Sequence, residues 1–357
     1  MGLVDEIKNI IEESGVRVVE MSDIDSNPRL SSVYEGQKIC RKEDINLVVA
    51  LGGGSTMDCA KVIAAAAKTE DEPQFFLWGT EKGEKKIFND SLDTIMLPTM
   101  ASTGTELNNT AVIMNEATKS KTYCEAICLF PTITIIDPEI ATSTPVTMTI
   151  WATMDILSHL FEYYFNGRLD CLYQLRFSES LIMACMECLE LIIRNPKDVR
   201  ARGEMAWISA MAWGGLTKIG RGAPDMSCHT IGEGLVPYFD LHHGATMGVT
   251  TSRWMKHVYR KHPTIFARFA RNVFGIVDNN DNSAADKAFN AFINWLRYIN
   301  APDTLNDLTE AVISDELLLE IAQRVRNENA VIGTLSLLET EDIVTIYRDM
   351  RIPLISA

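Results

Sequence analysis

Residues 46–58 read NLVVALGGGSTMD, and the fold is decided here. Asn46 to Leu51 is a continuous apolar run closed by three glycines, the pattern of a strand buried on both faces, as parallel strands are. A helix follows at Met57 to Lys68. A strand that turns through glycine into a helix leaves free N–H groups at the positive end of the helix dipole, where a pyrophosphate can be held. Gly52, Gly53 and Gly54 would let a phosphate approach the chain closely. Ser55 is a good N-cap, and Asp58, three residues on, falls in the first turn where an acid is favoured. The spacing is not GxGxxG, so the loop alone leaves both nucleotide binding and a plain tight turn open.

Working outward, Val4, Ile7, Ile10 and Ile11 recur at helical spacing over residues 4–14, and Val16 to Met21 reads as a short strand. Asn27-Pro28 then leads into a polar helix. Further strands are expected at Thr94 to Leu97 and at Ile133 to Ile136, the latter stopped by Asp137-Pro138. Helix and strand in alternation imply a doubly wound parallel sheet. The loop from Pro98 to Glu106 follows one of these strands at its carboxyl end, where such sheets bind ligands; its threonines serve equally well as caps. From about Thr147 strand-like runs stop, and amphipathic helices are expected at 148–166, 170–194, 198–219, 225–235 and 244–260, with more to the end. Pro145, Pro196, Pro224 and Pro302 mark helix ends. At 357 residues the chain exceeds one core. Two domains are therefore expected, an α/β domain over 1–146 and an all-helical domain over 147–357.

The chain is 46% hydrophobic and 23% charged, with a formal net charge of -15. That balance offers no basic face on which a phosphate backbone would release counterions, so nucleic acid is not an expected partner. No apolar run is long enough to span a membrane, and MGLVDEIKNIIEES is acidic where a signal peptide would be basic and then apolar; the expected location is cytoplasmic. Eight cysteines are spread through the chain and read as free thiols. Cys185 and Cys188 form a lone CxxC inside the helical run ESLIMACMECLELII, with no second pair to complete a zinc site, and read as buried core residues.

Asp155 and His159 stand four apart in a helical stretch and project from one face. His229 lies in a second helical stretch and His243 opens a third. One carboxylate with three imidazoles suits Zn²⁺ or Fe²⁺ rather than Ca²⁺ or Mg²⁺, which prefer oxygen ligands. Taken alone, a DxxxH pair is more often a surface or capping pair. The chain has only six histidines, however, and Ser227-Cys228-His229 and His242-His243-Gly244 flank Tyr238 in an otherwise apolar region where polar side chains need a reason to be buried. His242, His257 and His262 are expected at the surface.

GGGSTMDCAK at 52–61, LPTMASTGTE at 97–106, IIDPE at 135–139, MDILSHLFE at 154–162 and HTIGEGLVPYFDLHHGATMGV at 229–249 stand in the order and spacing of the iron-containing alcohol dehydrogenases. The chain resembles most closely their butanol-dehydrogenase-like branch. The resemblance implies a parallel-sheet dinucleotide-binding domain, a helical metal-binding domain and a cleft between them. It places Asp155, His159, His229 and His243 on the metal, and Gly52, Gly53, Gly54, Ser55 and Asp58 on the pyrophosphate loop. It places Thr99, Thr103, Asn108 and Lys121 along the cofactor. Two departures stand out. Glu233 occupies the position where many members carry a further histidine proposed as a proton relay, a task open to a carboxylate. The chain also begins directly in a helix, without the strand and second glycine loop with which the family opens, a unit on the order of 30 residues.

The expected activity is therefore that of a metal-dependent alcohol dehydrogenase or aldehyde reductase. It would move a hydride between NAD or NADP and a small alcohol or aldehyde at an Fe²⁺ or Zn²⁺ site, in a homodimer. Two alternatives differ in class: a metal-bearing homologue with weak or no turnover, and a lyase or cyclase on the same fold, resembling dehydroquinate synthase. The second asks for basic residues that Met148 to Phe165 does not supply.

Overall fold

The computed structural model describes residues 2–77 and 86–354. Its first part runs α1 (Leu3–Glu13), α2 (Leu30–Lys42), β1 (Leu47–Gly52), α3 (Gly54–Ala66), β2 (Asp93–Pro98), β3 (Thr110–Asn115), β4 (Ser120–Glu125) and β5 (Ile133–Thr134). β1, β2 and β5 form a parallel sheet in that order, with Leu47 opposite Asp93 and Gly52 opposite Pro98. Because the strands run in register, the glycine turn after β1 and the polar loop after β2 leave the same edge of the sheet together.

Helix α3 is buried along nearly all its length, and small residues permit this. Ala64, Ala65 and Ala66 are solvent-free, and a Cβ at Gly36 of α2 would fall 2.3 Å from the Ile63 side chain. The same helix carries two buried charges. Lys61, 1% exposed, donates to Thr105 Oγ1 at 2.7 Å, the Asn108 carbonyl at 2.8 Å and the Thr110 carbonyl at 3.0 Å. Asp58 accepts from Thr105 Oγ1 at 2.5 Å and from the Val112 N–H at 2.9 Å. Burial pushes Lys61 down to about 8 and Asp58 upward, each moderated by the other. The pair ties α3 to the loop after β2 and to β3.

Three expectations change. Val16 to Met21 takes no regular structure and joins no ladder among the described residues; a strand needs a neighbour to satisfy its backbone, and Val16 remains 52% exposed. Ser55 is not the N-cap: α3 starts at Gly54 with Gly53 capping, and the Ser55 hydroxyl donates instead to the Ser26 carbonyl. β3 and β4 form an antiparallel hairpin that the alternation of helix and strand does not suggest. Its turn is closed by Asn115 Oδ1 accepting from the Ala117 and Thr118 N–H groups, with Lys119 in the left-handed region.

The remainder is helical: α4 (Pro138–Ala141), α5 (Val146–Tyr164), α6 (Leu172–Arg194), α7 (Val199–Ala212), α8 (Gly215–Lys218), α9 (Ser227–Phe239), α10 (His243–Val258), α11 (Pro263–Val273), α12 (Asp281–Tyr298), α13 (Asp315–Glu328) and α14 (Thr340–Asp349). The run expected at 198–219 breaks at Trp213-Gly214 into α7 and α8. Helix α5 is the centre of this part, packed by α6, α7, α9 and α10. With no solvent at its carboxyl end, its last carbonyls need internal donors. Arg221, 1% exposed, supplies them, its Nε reaching the Tyr163 carbonyl at 3.0 Å and Nη2 that of Tyr164 at 3.1 Å. No described helix is long and apolar enough to cross a membrane.

Replacing Lys61 by Met keeps the stem but leaves Asp58 buried without its cation. Urea unfolding of Lys61→Met should show a loss of about 3 to 5 kcal/mol, partly restored in Asp58→Asn/Lys61→Met. A single variant as stable as the parent would mean that the pair does not hold the loop.

Candidate metal centre

Helix α5 presents Asp155, His159 and Glu162 at steps of four and three, which stacks them on one face. Asp155 is wholly buried, and His159 and Glu162 nearly so. Helix α9 brings His229 against them. Its carboxyl end turns at Asp240, in the left-handed region, so that His243 becomes the first residue of α10 and points back to the same place. Asp155 Oδ1 lies 3.8 Å from His159 Nε2, 3.7 Å from His229 Nε2 and 3.3 Å from His243 Nε2. The His159 and His229 rings stack with centroids 4.8 Å apart.

Two atoms at this focus, Asp155 Oδ1 and His229 Nε2, are buried with no hydrogen-bond partner. A buried polar atom left so costs about 1 to 3 kcal/mol, and a divalent cation among the four side chains would offset that cost. Ligand atoms of Asp155, His159 and His229 already lie within 4.8 Å of one another. Three imidazoles and one carboxylate are a donor set for Fe²⁺ or Zn²⁺.

Surrounding groups set the charge and tautomer of these side chains. Burial pushes His159 down to about 3 and so keeps it neutral. Burial also opposes charge on His229, but Glu162 and Asp155 outweigh it and hold its pKa above the ordinary value. Glu162 Oε1 contacts His229 Nδ1; a proton there leaves Nε2 facing the centre, the arrangement of ligating histidines backed by a carboxylate. On Asp155 burial works against ionisation, and the surrounding imidazoles prevail to hold it well below the usual carboxylate range. Its other oxygen, Oδ2, accepts from Ser102 Oγ at 2.7 Å. The Trp213 ring lies 5.4 Å from His159 and 5.3 Å from Tyr163, forming an aromatic wall beside the centre.

The proposed cofactor residues separate into two groups. Gly52, Gly53, Gly54, Thr99 and Thr103 come together: the Thr99 N–H donates to the Gly52 carbonyl at 2.9 Å. A Cβ at Gly54 would meet Thr103 Oγ1 at 2.5 Å. Ser55 adjoins them, its hydroxyl turned to Ser26. Lys121 stands apart on β4, its Nζ 3.4 Å from Glu233 Oε1 and its side chain buried. Asp58 and Asn108 are both engaged in hydrogen bonds inside the protein. The Asp58 oxygens are used as described above, while Asn108 donates to the Gly104 carbonyl at 3.0 Å and accepts from the Thr110 N–H at 2.9 Å. These contacts hold the loop after β2. His242, expected at the surface, is half-buried, its ring 4.8 Å from that of Trp151. His257 and His262 are also half-buried, against Asp342 and Ser336. Cys185 and Cys188 are buried free thiols away from this centre, as their helix suggests.

Glu162, Ser102 and Trp213 escape the sequence reading. Glu162 left a signal, since it lies seven residues after Asp155 and three after His159 on the same face. Ser102 and Trp213 left none, because their partners come from other segments.

Residues 1–138 match the family of iron-containing alcohol dehydrogenases, and residues 149–351 match the C-terminal part of the Fe-containing alcohol dehydrogenase family. Butanol dehydrogenase A of Clostridium acetobutylicum, NADH-dependent, is 32% identical over 97% of this chain and 88% of its own length. The NADPH-dependent aldehyde reductase of Escherichia coli is 26% identical over 86% of this chain and 78% of its own. The crystal structure of the NADH-dependent butanol dehydrogenase A of Thermotoga maritima superposes with a TM-score of 0.89 at 33% identity, covering 98% of this chain and 87% of that one.

His243 reaches the centre only because α10 approaches α5 closely, and Gly244 permits this: a Cβ there would lie 2.3 Å from the Trp151 carbonyl oxygen. Gly244→Ala should therefore lose about 1 to 3 kcal/mol, an overpacking cost, read from the denaturant midpoint. Unchanged stability would show that the two helices yield easily.

Proposed function

Because the chain belongs to the iron-containing alcohol dehydrogenase family, we propose that Asp155, His159, His229 and His243 hold its divalent cation. On this reading the chain works as an NAD(P)-dependent alcohol dehydrogenase or aldehyde reductase. The observation that carries the assignment is the convergence of three imidazoles on one buried, unpartnered carboxylate oxygen. Fe²⁺ is favoured over Zn²⁺ by the family, and NADH over NADPH by the higher identity to the NADH-dependent relative, 32% against 26%. Trp213 and Tyr163 beside the centre support a short aliphatic alcohol or aldehyde, as the names of the butanol dehydrogenases suggest.

When bound, the cation polarises the substrate oxygen and the nicotinamide gives or accepts the hydride. The chain's own groups prepare the place. Asp155 brings the one negative charge, neutral His159 a lone pair, and Glu162 fixes the His229 ring. The Trp213 and Tyr163 rings would shield a substrate bound beside His159 from water. Backbone N–H groups at the start of α3 would hold a pyrophosphate, and Gly52, Gly53 and Gly54 would let it approach. Lys121 pairs with Glu233, which joins β4 to α9. Residues 1–146 then form the nucleotide unit and 147–357 the cation unit, since the four ligands all stand on α5, α9 and α10.

Protein loaded with Fe²⁺ or Zn²⁺ should retain one cation per chain and oxidise NADH or NADPH with straight-chain aldehydes. His229→Ala and Asp155→Asn should each bind the cation at least about 100-fold more weakly and lose activity in proportion. Stoichiometric metal in either variant would remove that residue from the ligand set.

A second variant addresses the glycine loop. Gly54→Val pushes into Thr103 and crowds the phosphate position. Its KM for the nucleotide should rise about tenfold or more while that for the aldehyde stays within about twofold. An equal rise in both would count against a phosphate site there.

A further inference from the structure

The segment 99–104 touches both proposed sites. On one side it lies against the glycine loop: Thr99 N–H donates to the Gly52 carbonyl, Met100 Sδ would be 3.4 Å from a Cβ on Gly53, and Thr103 fills the space before Gly54. On the other side Ser102 Oγ donates to Asp155 Oδ2 at 2.7 Å. The far end of the segment is fixed. Gly104, in the left-handed region at φ 65°, passes so close to α7 that a Cβ would fall 2.6 Å from the Ser209 carbonyl oxygen, and Asn108 and Lys61 hold the chain just beyond it. A continuous series of contacts therefore runs from the phosphate position through Thr103 and Ser102 to the carboxylate that faces three imidazoles.

Asp155 has one oxygen for the imidazole cluster and one for Ser102. A carboxylate whose second oxygen is tethered loses a rotation it would otherwise have to surrender on binding a cation, and that ordering is part of the free energy of binding. The strength of the tether depends on where residues 99–104 sit, and hence on what rests on the glycine loop.

We propose that Ser102 couples the two sites, so that a nucleotide on the glycine loop holds residues 99–104 in place, keeps Asp155 in its ligating position and tightens cation binding. The proposal rests on Asp155 as a ligand and Gly52 to Gly54 as the phosphate loop. Ser102 is a positioning residue, acting through Asp155. Linkage is reciprocal: the cation tightens nucleotide binding by the same factor.

The test is a Zn²⁺ titration of the full chain in competition with a fluorescent chelator, with and without saturating NAD⁺, for the parent, Ser102→Ala and Ser102→Thr. In the parent NAD⁺ should tighten Zn²⁺ about fivefold or more. The ratio should fall to about one in Ser102→Ala and return in Ser102→Thr, whose hydroxyl can still donate. Any general loosening of the site by the alanine changes both titrations alike and leaves the ratio untouched, as does direct contact between nucleotide and cation. A ratio in Ser102→Ala equal to the parent's, or a parent ratio of one, overturns the coupling. A parent that binds no Zn²⁺ overturns the ligand assignment beneath it, and one that binds Zn²⁺ but no NAD⁺ overturns the phosphate loop; either result takes the coupling with it.

Discussion

Asp155 is an ionised carboxylate midway along a helix that is buried from Ala152 to its carboxyl end, and the rest of the helical part is arranged around making that tolerable. Isolated in a protein interior such a charge would be several kcal/mol unfavourable and would take up a proton instead. Here it stays ionised because three imidazoles and the Ser102 hydroxyl converge on it. Each of those partners makes a demand on the fold. His229 and His243 require two further helices to end or begin at one point. His159 and Glu162 require α5 to stay regular through its whole length. Because the carboxyl end of α5 is buried, its last carbonyls need Arg221, and near its start Arg202 Nη1 donates to Thr149 Oγ1 at 2.7 Å.

The α/β part solves a similar problem with a different pair. Asp58 and Lys61 stand three apart on α3 and are both buried, yet their hydrogen bonds go mainly to other segments, to Thr105, Asn108, Thr110 and Val112. A buried ion pair does little for net stability when a hydrophobic pair would also fill the space. What it supplies here is position: the loop after β2 is held to the helix that follows the glycine turn. One loop thus meets a buried charge network behind it and a buried metal-type centre in front. The β3–β4 hairpin adds a second link, through Lys121 to Glu233 and through Arg324, whose Nη2 donates toward the Thr118 carbonyl at 3.4 Å and the Lys119 carbonyl.

Some of this was legible along the chain and some was not, according to the range of the physics involved. The strand, glycine turn and helix at 46–66 follow from an apolar run and from glycine's freedom to let chains approach, so the sequence names them within a few residues. The long helices α5, α6, α9 and α10 are equally plain from their apolar period. Val16 to Met21 shows the limit. Its composition suits a strand, but a strand exists only where a neighbour pairs with it, and none does among the described residues. The β3–β4 hairpin shows no local sign either, since a turn closed by Asn115 carries no Asn-Gly or Asp-Gly signature.

The class of fold is legible in the sequence, which also proposes Asp155, His159, His229 and His243 as a ligand set and the glycine loop as a place for phosphate. All of these depend on residue type and local period. Tertiary structure alone decided that the four side chains share one point, that Glu162 and Ser102 fix two of them, and that Asp58 and Asn108 turn inward. The reason is physical. Helical spacing fixes which residues of one helix share a face, as it does for Asp155 and His159. Whether a carboxylate faces a ligand or an N–H group 54 residues away, as Asp58 faces that of Val112, is settled only when the packed interior leaves each buried polar atom to find the partner within reach.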